Sequence, residues 1–386
     1  MNRGAVLGEL LRHRPTSRKQ LARAAGLSPA TVTRVVAQLR AEGLVREVGE
    51  VAADKRGRRE LLLDLAADRE LAVGVKLGAS TTRVLLTDLV GDPRDAHAEP
   101  TPIDLAADEL GMWAARATVR VVGDNAGNVR RAVLVIPGAV SGLEQTISNS
   151  PNLPQVEDGR FLEAFRAHIP WPVVLENDAN AALVGERRFG AAQGSSTAAL
   201  VSLGTGLGAA IAIEGRLLRG RHGVVGEFGQ LPVGPLGTRL EQMVTEAAIL
   251  RRAKDAGVLL DSAEAVFAPD APAPLAEVRR QFDQALLVAL GAVVAACEPE
   301  LVVLGGSISQ HLNADLANHR LALERIFRVA PALVPARLGR FASVVGAVVL
   351  GLRESYADLG VPAQYLDDLP AVGLAAERLL TLGAHH

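Results

Sequence analysis

Apolar positions recur in two rhythms along this chain. Near the N-terminus they fall three and four apart. In "SRKQLARAAG" (17–26), Leu21, Ala24 and Ala25 follow Ser17 at helical spacing, Gln20 completes a capping-box pattern and Gly26 ends the segment. In "SPATVTRVVAQLRAEG" (28–43), Ser28 suits a cap and Pro29 the first helical position. Val32, Val35, Val36 and Leu39 then form one stripe, and Gly43 is placed to stop the helix. "LVREVGEVAADKRGRRELLLDL" (44–65) has two apolar arms around a basic turn and predicts a hairpin. From residue 70 onward the rhythm changes. "LAVGVKLGASTTRVLLTDLVG" (71–91) and "TAALVSLGTGLGAAIAIEGRLLRG" (197–220) each read as strand, glycine turn, strand. "RRAVLVIPGAVSG" (130–142) reads as a buried strand entering a Pro-Gly loop, and "WPVVLENDANAALVGERRFG" (171–190) as strand, acidic turn and helix. "EPELVVLGGSIS" (298–309) reads as a helix end, a strand and a Gly-Gly turn. Strands alternating with helices predict an α/β architecture, and the repeated strand–turn–strand unit points to two similar halves. "ALLVALGAVVAAC" (285–297) is too short to span a bilayer and predicts a buried helix.

A length of 386 residues suggests two or three domains, and 49% apolar residues suffice for a real core. Cys297 is the one cysteine, which fits a reducing compartment, and the N-terminal stretch shows no apolar signal region. The expectation is a soluble cytoplasmic protein with no membrane partner. Charge sharpens the division. Residues 1–65 hold 13 Lys and Arg against 7 Asp and Glu, whereas the remainder holds 28 against 36. A basic head on an acidic body suggests that the head meets a polyanion. The two short helices joined by "GL" match a helix-turn-helix, whose second helix enters the major groove. It would present Ser28, Thr31, Thr33 and Arg34 to base edges or phosphates. The basic hairpin turn reads as a wing, with Lys55, Arg56, Arg58 and Arg59 near phosphates or the minor groove. The competing reading is a solvated basic loop on a small helical domain. Helix pair, wing and charge agree on DNA.

"ENDANAALVGE", "SLGTGLG", "GVVGEFGQ" and "PELVVLGGSIS", in this order behind a winged helix-turn-helix, resemble the ROK family of repressors, open reading frames and sugar kinases. The resemblance covers residues from about 5 to 350. It implies an actin-like, hexokinase-like ATPase fold of two α/β lobes, with a sugar in the cleft and, in kinases, ATP beside it. The family's catalytic base is the aspartate matched by Asp178, with Asn177 beside it on sugar hydroxyls. The same pair also suits turn chemistry, and both roles can hold at once. Glu227 and Glu241 match sugar-contacting glutamates, and Gly138 and Asn152 match loops that line the sugar site.

The chain departs from the kinase pattern at two places. Lys76 stands in the first glycine turn where the kinases carry an aspartate that places metal and γ-phosphate, and Ala79 replaces the turn's second glycine. A carboxylate binds Mg²⁺ and an ammonium repels it. "SLGTGLG" is the kind of loop that wraps phosphate, but with Lys76 opposite, a tight turn kept for folding is the preferred reading. Gln230 occupies the position of a family histidine, and the loop that binds zinc in many members is reduced to "LPVGPLGTR", without cysteine. Four soft ligands cannot be assembled there, so no metal and no cofactor are expected.

The expected organisation is a DNA-binding head over 1–68, a two-lobed effector body over 69–350 and a helical extension over 351–386. Leu374, Ala375, Leu379 and Leu382 of the extension suit one face of a helix. The expected function is a transcription regulator, a repressor of carbohydrate-related genes, with a non-catalytic body sensing a sugar or sugar phosphate. Its partners would be a double-stranded operator and a second copy or three. The alternatives are an active ATP-dependent sugar kinase with an appended head, and a DNA-binding protein whose body only dimerises. For Lys76 two roles compete: pairing with Asp178, or receiving the phosphate of a sugar 6-phosphate.

Overall fold

The computed structural model describes residues 2–51, 59–142, 144–233 and 237–371. The head opens with α1 (Asn2–Arg12), followed by the short strand β1 (Thr16–Ser17), α2 (Arg18–Ala24) and α3 (Pro29–Ala41). Strands β2 (Val45–Val51) and β3 (Glu60–Leu65) form the hairpin, and β1 extends it to a three-stranded sheet in the order β1-β3-β2. Both predicted caps form. Ser17 and Gln20 close a reciprocal capping box, and the Ser28 hydroxyl accepts from the Thr31 backbone N–H with Pro29 in the first turn. The stripe Val32, Val35, Val36 and Leu39 is buried against Leu7, Leu10 and Leu21.

The first lobe contains β4 (Leu71–Leu77), β5 (Thr81–Asp88), β6 (Pro93–Pro100), α4 (Ala107–Val122), β7 (Val129–Ile136), the small hairpin β8 (Ala139–Ser141) and β9 (Thr146–Ser148), α5 (Gly159–Ala167), β10 (Val173–Asn177) and α6 (Asp178–Phe189). The second contains β11 (Ala198–Leu203), β12 (Leu207–Ile213), β13 (Arg216–Leu217), α7 (Glu241–Val244), α8 (Glu246–Asp255), α9 (Ala273–Cys297), β14 (Leu301–Gly305), α10 (Leu316–Phe327) and β15 (Ala332–Pro335). Then come α11 (Ala342–Asp358) and α12 (Ala363–Leu366). The main sheets run β6-β5-β4-β7-β10 and β13-β12-β11-β14-β15. In each, the first strand pairs antiparallel with the second and parallel with the fourth, so one topology is used twice. The two similar halves expected from the repeated strand–turn–strand pattern are therefore present. Between 171 and 190 the strand passes directly into the helix, with Asn177 as cap.

Helices α6 and α11 lie between the sheets and pack on one another. Their approach is close: a Cβ at Gly346 would overlap the Ala181 carbonyl. Among the described residues one helix, α9, is long and apolar enough to cross a membrane. It packs Leu286, Leu290 and Val293 into the core of the second lobe, as the expectation of a buried helix required.

The head is not an appendage on a loose tether. After α11 the chain turns at Gly360 and lays Pro362–Leu369 along α1. The Tyr365 ring sits on Gly8, where a Cβ would collide with it, and Arg12 stacks over the same ring 4.6 Å from its centroid. Arg12 also pairs with Asp368, and Arg3 pairs with Glu42 and donates to the Leu359 carbonyl. One apolar cluster runs without a break from Leu7 through Tyr356, Val361, Tyr365 and Leu369 to the α6–α11 layer. The helix expected from Leu374 to Leu382 lies outside the described residues.

Candidate effector cleft and DNA-facing helix

A cavity of about 280 Å³ opens between the lobes. That is at the lower end of ligand-sized pockets, which run from about 300 Å³ upward. All eight residues singled out for an effector line it: Lys76, Gly138, Asn152, Asn177, Asp178, Glu227, Gln230 and Glu241. They arrive from distant segments. Asp178 and Asn177 stand where β10 becomes α6, so the strand end and helix start aim them at the cleft. Asn177 Oδ1 accepts from the Asn180 N–H at 3.0 Å and its Nδ2 donates to the Gly138 carbonyl at 2.8 Å. Its capping role is thus real and leaves one N–H for a ligand. Asn152 donates to the Thr205 carbonyl, which ties the first lobe to the glycine turn of the second.

Three carboxyl groups gather on one side. Burial pushes Glu227 up to about 7, helped by the negative charges of Asp178 and Glu241. Burial also raises Asp178, against the pull of Lys76, and raises Glu241, against a hydrogen bond from the Leu207 backbone. A half-protonated Glu227 both donates and accepts hydrogen bonds, which suits a hydroxyl-rich ligand.

Lys76 sits opposite. Burial lowers its pKa, Asp178 opposes that shift and Arg83 adds to it. Its ammonium folds back over Gly78, so a Cβ there would push it aside. Lys76 and Asp178 attract one another, but no ion pair closes between them among the described residues. The pairing expected as the first of the two roles of Lys76 is therefore loose.

The two described arms of the reduced loop after Gln230 pair antiparallel. Leu240 N–H donates to the Leu231 carbonyl, Val233 N–H to that of Thr238, and Pro232 bridges Arg239. Arg239 donates to Gln230 Oε1, so the glutamine side chain is held by its own loop. Among the described residues no group of three or more His, Cys, Asp or Glu is placed to hold a metal.

Sequence reasoning missed several residues that build this site. Glu186 is fully buried and accepts from the backbone N–H groups of Ala191, Arg337 and Leu338. It thereby fixes the loop that carries Arg340 to the cleft. Glu176 bonds Asn177, Asn180 and Arg219 and sets the orientation of the Asn177–Asp178 pair. Ser343 donates to the Asp178 carbonyl. Only Arg83 had a readable signal: a three-residue turn after β4 puts it across from Lys76.

In the head, Ser28, Thr33 and Arg34 are exposed and Thr31 is half-buried. The hydroxyls of Ser28 and Thr31 bond one another at 2.9 Å, and Thr33 bonds the Pro29 carbonyl at 2.8 Å. Arg34 makes no side-chain bond among the described residues. Lys55, Arg56 and Arg58 lie outside the described residues. Arg59, at the base of the wing, is exposed and pairs with Glu50 at 3.4 Å.

A winged helix in front of a duplicated α/β body with a cleft between its lobes defines a class: a sugar-kinase-like fold joined to a winged-helix head. Residues 72–354 match the ROK family and residues 2–57 the MarR family. The chain belongs to the ROK family. It is 30% identical over 263 residues to the DNA-binding transcriptional dual regulator NagC of Escherichia coli (strain K12), covering 65% of this chain and 64% of that protein, just under two thirds of its length. A solved ROK family transcriptional regulator, a homologue of the E. coli MLC protein, shares the fold with a TM-score of 0.71 at 22% identity, over 95% of this chain and 100% of that one. The ROK hexokinase of Thermus thermophilus superposes with a TM-score of 0.61 at 29% identity, over 75% of this chain and 99% of that one.

Proposed function

We propose that this chain is a DNA-binding transcription repressor whose cleft senses a small carbohydrate and does not transfer phosphate. The observation that carries the reading is Lys76 in the cleft wall, at the first glycine turn, under a head that joins the body through a continuous core. An ammonium there repels the divalent ion that phosphoryl transfer requires. The likeness to NagC supports the repressor reading, and the hexokinase likeness supports a sugar in the cleft.

The residues divide the work as follows. Asn177, Asp178, Glu227, Gln230 and Glu241 hold ligand hydroxyls, and Gly138 and Asn152 shape the wall. Ser28, Thr31, Thr33 and Arg34 face the major groove, with Arg34 the main base or phosphate contact. Lys55, Arg56, Arg58 and Arg59 contact the backbone or minor groove. Residues 1–68 act as the head, 69–350 as the effector body and 351–386 as an extension, of which Pro362–Leu369 is the strap on α1. α11 starts at the cleft with Ala342 and Ser343 and ends at this strap, so lobe movement has a rigid route to α1. The protein works in the cytoplasm as a homodimer or homotetramer on a near-palindromic operator.

The competing reading is an active sugar kinase with a DNA-binding head, which the surviving Asp178 and glycine turn favour. Incubation of the full chain with ATP, Mg²⁺ and a panel of hexoses separates the two. No phosphorylation above background is expected, and turnover at an enzymic rate would refute the non-catalytic reading. For DNA, Arg34→Ala should weaken specific binding, while Arg56→Ala with Arg58→Ala should mainly flatten the salt dependence. A full salt slope in the double variant would remove the wing from the interface.

A further inference from the structure

The cleft has a second pole that carries three cations, of which Asp178 offsets one. β4 and β5 pair in an antiparallel register that sets Lys76 directly opposite Arg83, on the same face of the sheet. Like charges so placed repel. Arg340 reaches the same cleft wall from the loop before α11. Among the described residues, neither Arg83 nor Arg340 has a carboxylate or carbonyl partner; the Arg340 guanidinium rests on the Phe341 ring, 5.1 Å from its centroid. Asp178 offsets Lys76 alone. Beside these cations lies the start of α11, a 17-residue helix without a side-chain cap, whose first residues Ala342 and Ser343 line the cleft. The Ala342 N–H already donates to the Gly339 carbonyl, and the helix dipole there favours an anion, as the two guanidiniums do. Ser80 adds a hydroxyl on the same wall. Glu186, bonded to the backbone of Arg337 and Leu338, holds the Arg340 loop in place.

We propose that Arg83, Arg340 and Lys76, with the α11 N-terminus, form a metal-independent site for a phosphoryl group. In a metal-using cleft, two or three charges on a phosphate are neutralised by a divalent ion held on an acid. Here three protein cations do the same, and a divalent ion would be repelled. The phosphate arrives either on a phosphorylated sugar whose hydroxyls reach Glu227 and Glu241, or as a separate anion beside a neutral sugar. The first source rests on the carbohydrate-sensing reading above; the site itself does not.

The test uses the full chain in EDTA, free of DNA, with inorganic phosphate, glucose and glucose 6-phosphate followed by calorimetry and thermal shift. Inorganic phosphate is expected to bind and raise the melting temperature without any metal. Arg83→Met and Arg340→Gln should each weaken it about 10- to 100-fold, the loss expected for a charge-assisted hydrogen bond. Arg340 is exposed, so its variant folds and keeps the test decisive if Arg83→Met is unstable. Phosphate binding that needs Mg²⁺, or equal binding by both variants and the parent, overturns the proposal, as does no binding of any phosphate compound. Glucose 6-phosphate binding far tighter than either glucose or phosphate identifies one spanning ligand. Independent binding of the two small probes identifies a separate anion. If phosphate binds with the expected losses but no sugar does, the carbohydrate reading fails and the anion site stands.

Discussion

The two lobes repeat one topology, and their first hairpins invite direct comparison. In β4–β5, the penultimate strand residue Lys76 faces Arg83; in β11–β12, the penultimate residue Ser202 faces Gly208. Both turns open on the same cleft. The second hairpin presents small neutral groups and backbone, as a loop that admits a ligand closely must. The first presents two long cations and folds one of them over its own turn. Identical backbone plans therefore carry opposite chemistry, and the difference lies in two side chains. Fold establishes a cleft; these side chains set the charge on its wall.

The largest expected effect removes what both hairpins depend on. Gly346→Val drives a side chain into the Ala181 carbonyl at the α6–α11 seam. It should cost about 3 kcal/mol or more, seen as a large drop in urea midpoint. An unchanged midpoint would mean that the seam is looser than described. Next, Ser202→Lys makes the second hairpin resemble the first. Ser202 is half-buried, so the long side chain should destabilise by about 2 kcal/mol through overpacking and desolvation. A neutral result would show that this position tolerates a cation and that the contrast between the hairpins is accidental.

On the acid side of the cleft, Glu227 binds its proton more tightly folded than unfolded, about 7 against 4.5. Its contribution to stability is therefore present below about pH 4.5 and is lost as pH rises through 7. Glu227→Gln should flatten the fall in melting temperature between these limits, an effect of about 1–2 kcal/mol after solvent screening. Parallel pH profiles for variant and parent would place the buried proton elsewhere. The smallest change has the opposite sign. Arg83→Met relieves the like charge across from Lys76 and should stabilise the ligand-free protein by about 0.5 kcal/mol. Destabilisation would reveal a partner that holds the guanidinium.

How much of this was legible in the chain depends on sequence distance. Local signals read true: the Ser17–Gln20 box, the Ser28 cap with Pro29, the glycine turns and the two strand–turn–strand units all form where periodicity placed them. The Lys76 substitution was visible because a motif surrounds it. Arg340 was not, because it reaches the cleft only through a loop fixed by Glu186, which lies 151 residues before its bonded partner Arg337. The strap on α1 was equally hidden. The first helix was not read from the sequence, and the contact with Gly360 and Tyr365 explains why Gly4 and Gly8 are small. The loose relation of Lys76 to Asp178 was hidden as well, because it depends on the ammonium folding back over its own turn at Gly78.

The central claim is that the cleft senses carbohydrate and reports to DNA through the head, without catalysis. It is tested most directly by titrating the full chain onto labelled fragments that flank carbohydrate genes, in EDTA and without ATP, with and without each sugar or sugar phosphate. The account predicts that at least one such compound shifts the DNA midpoint by about tenfold or more, a coupling of about 1.4 kcal/mol. DNA affinity that no compound alters in EDTA, together with ATP-dependent phosphorylation of a sugar once Mg²⁺ is supplied, would contradict it.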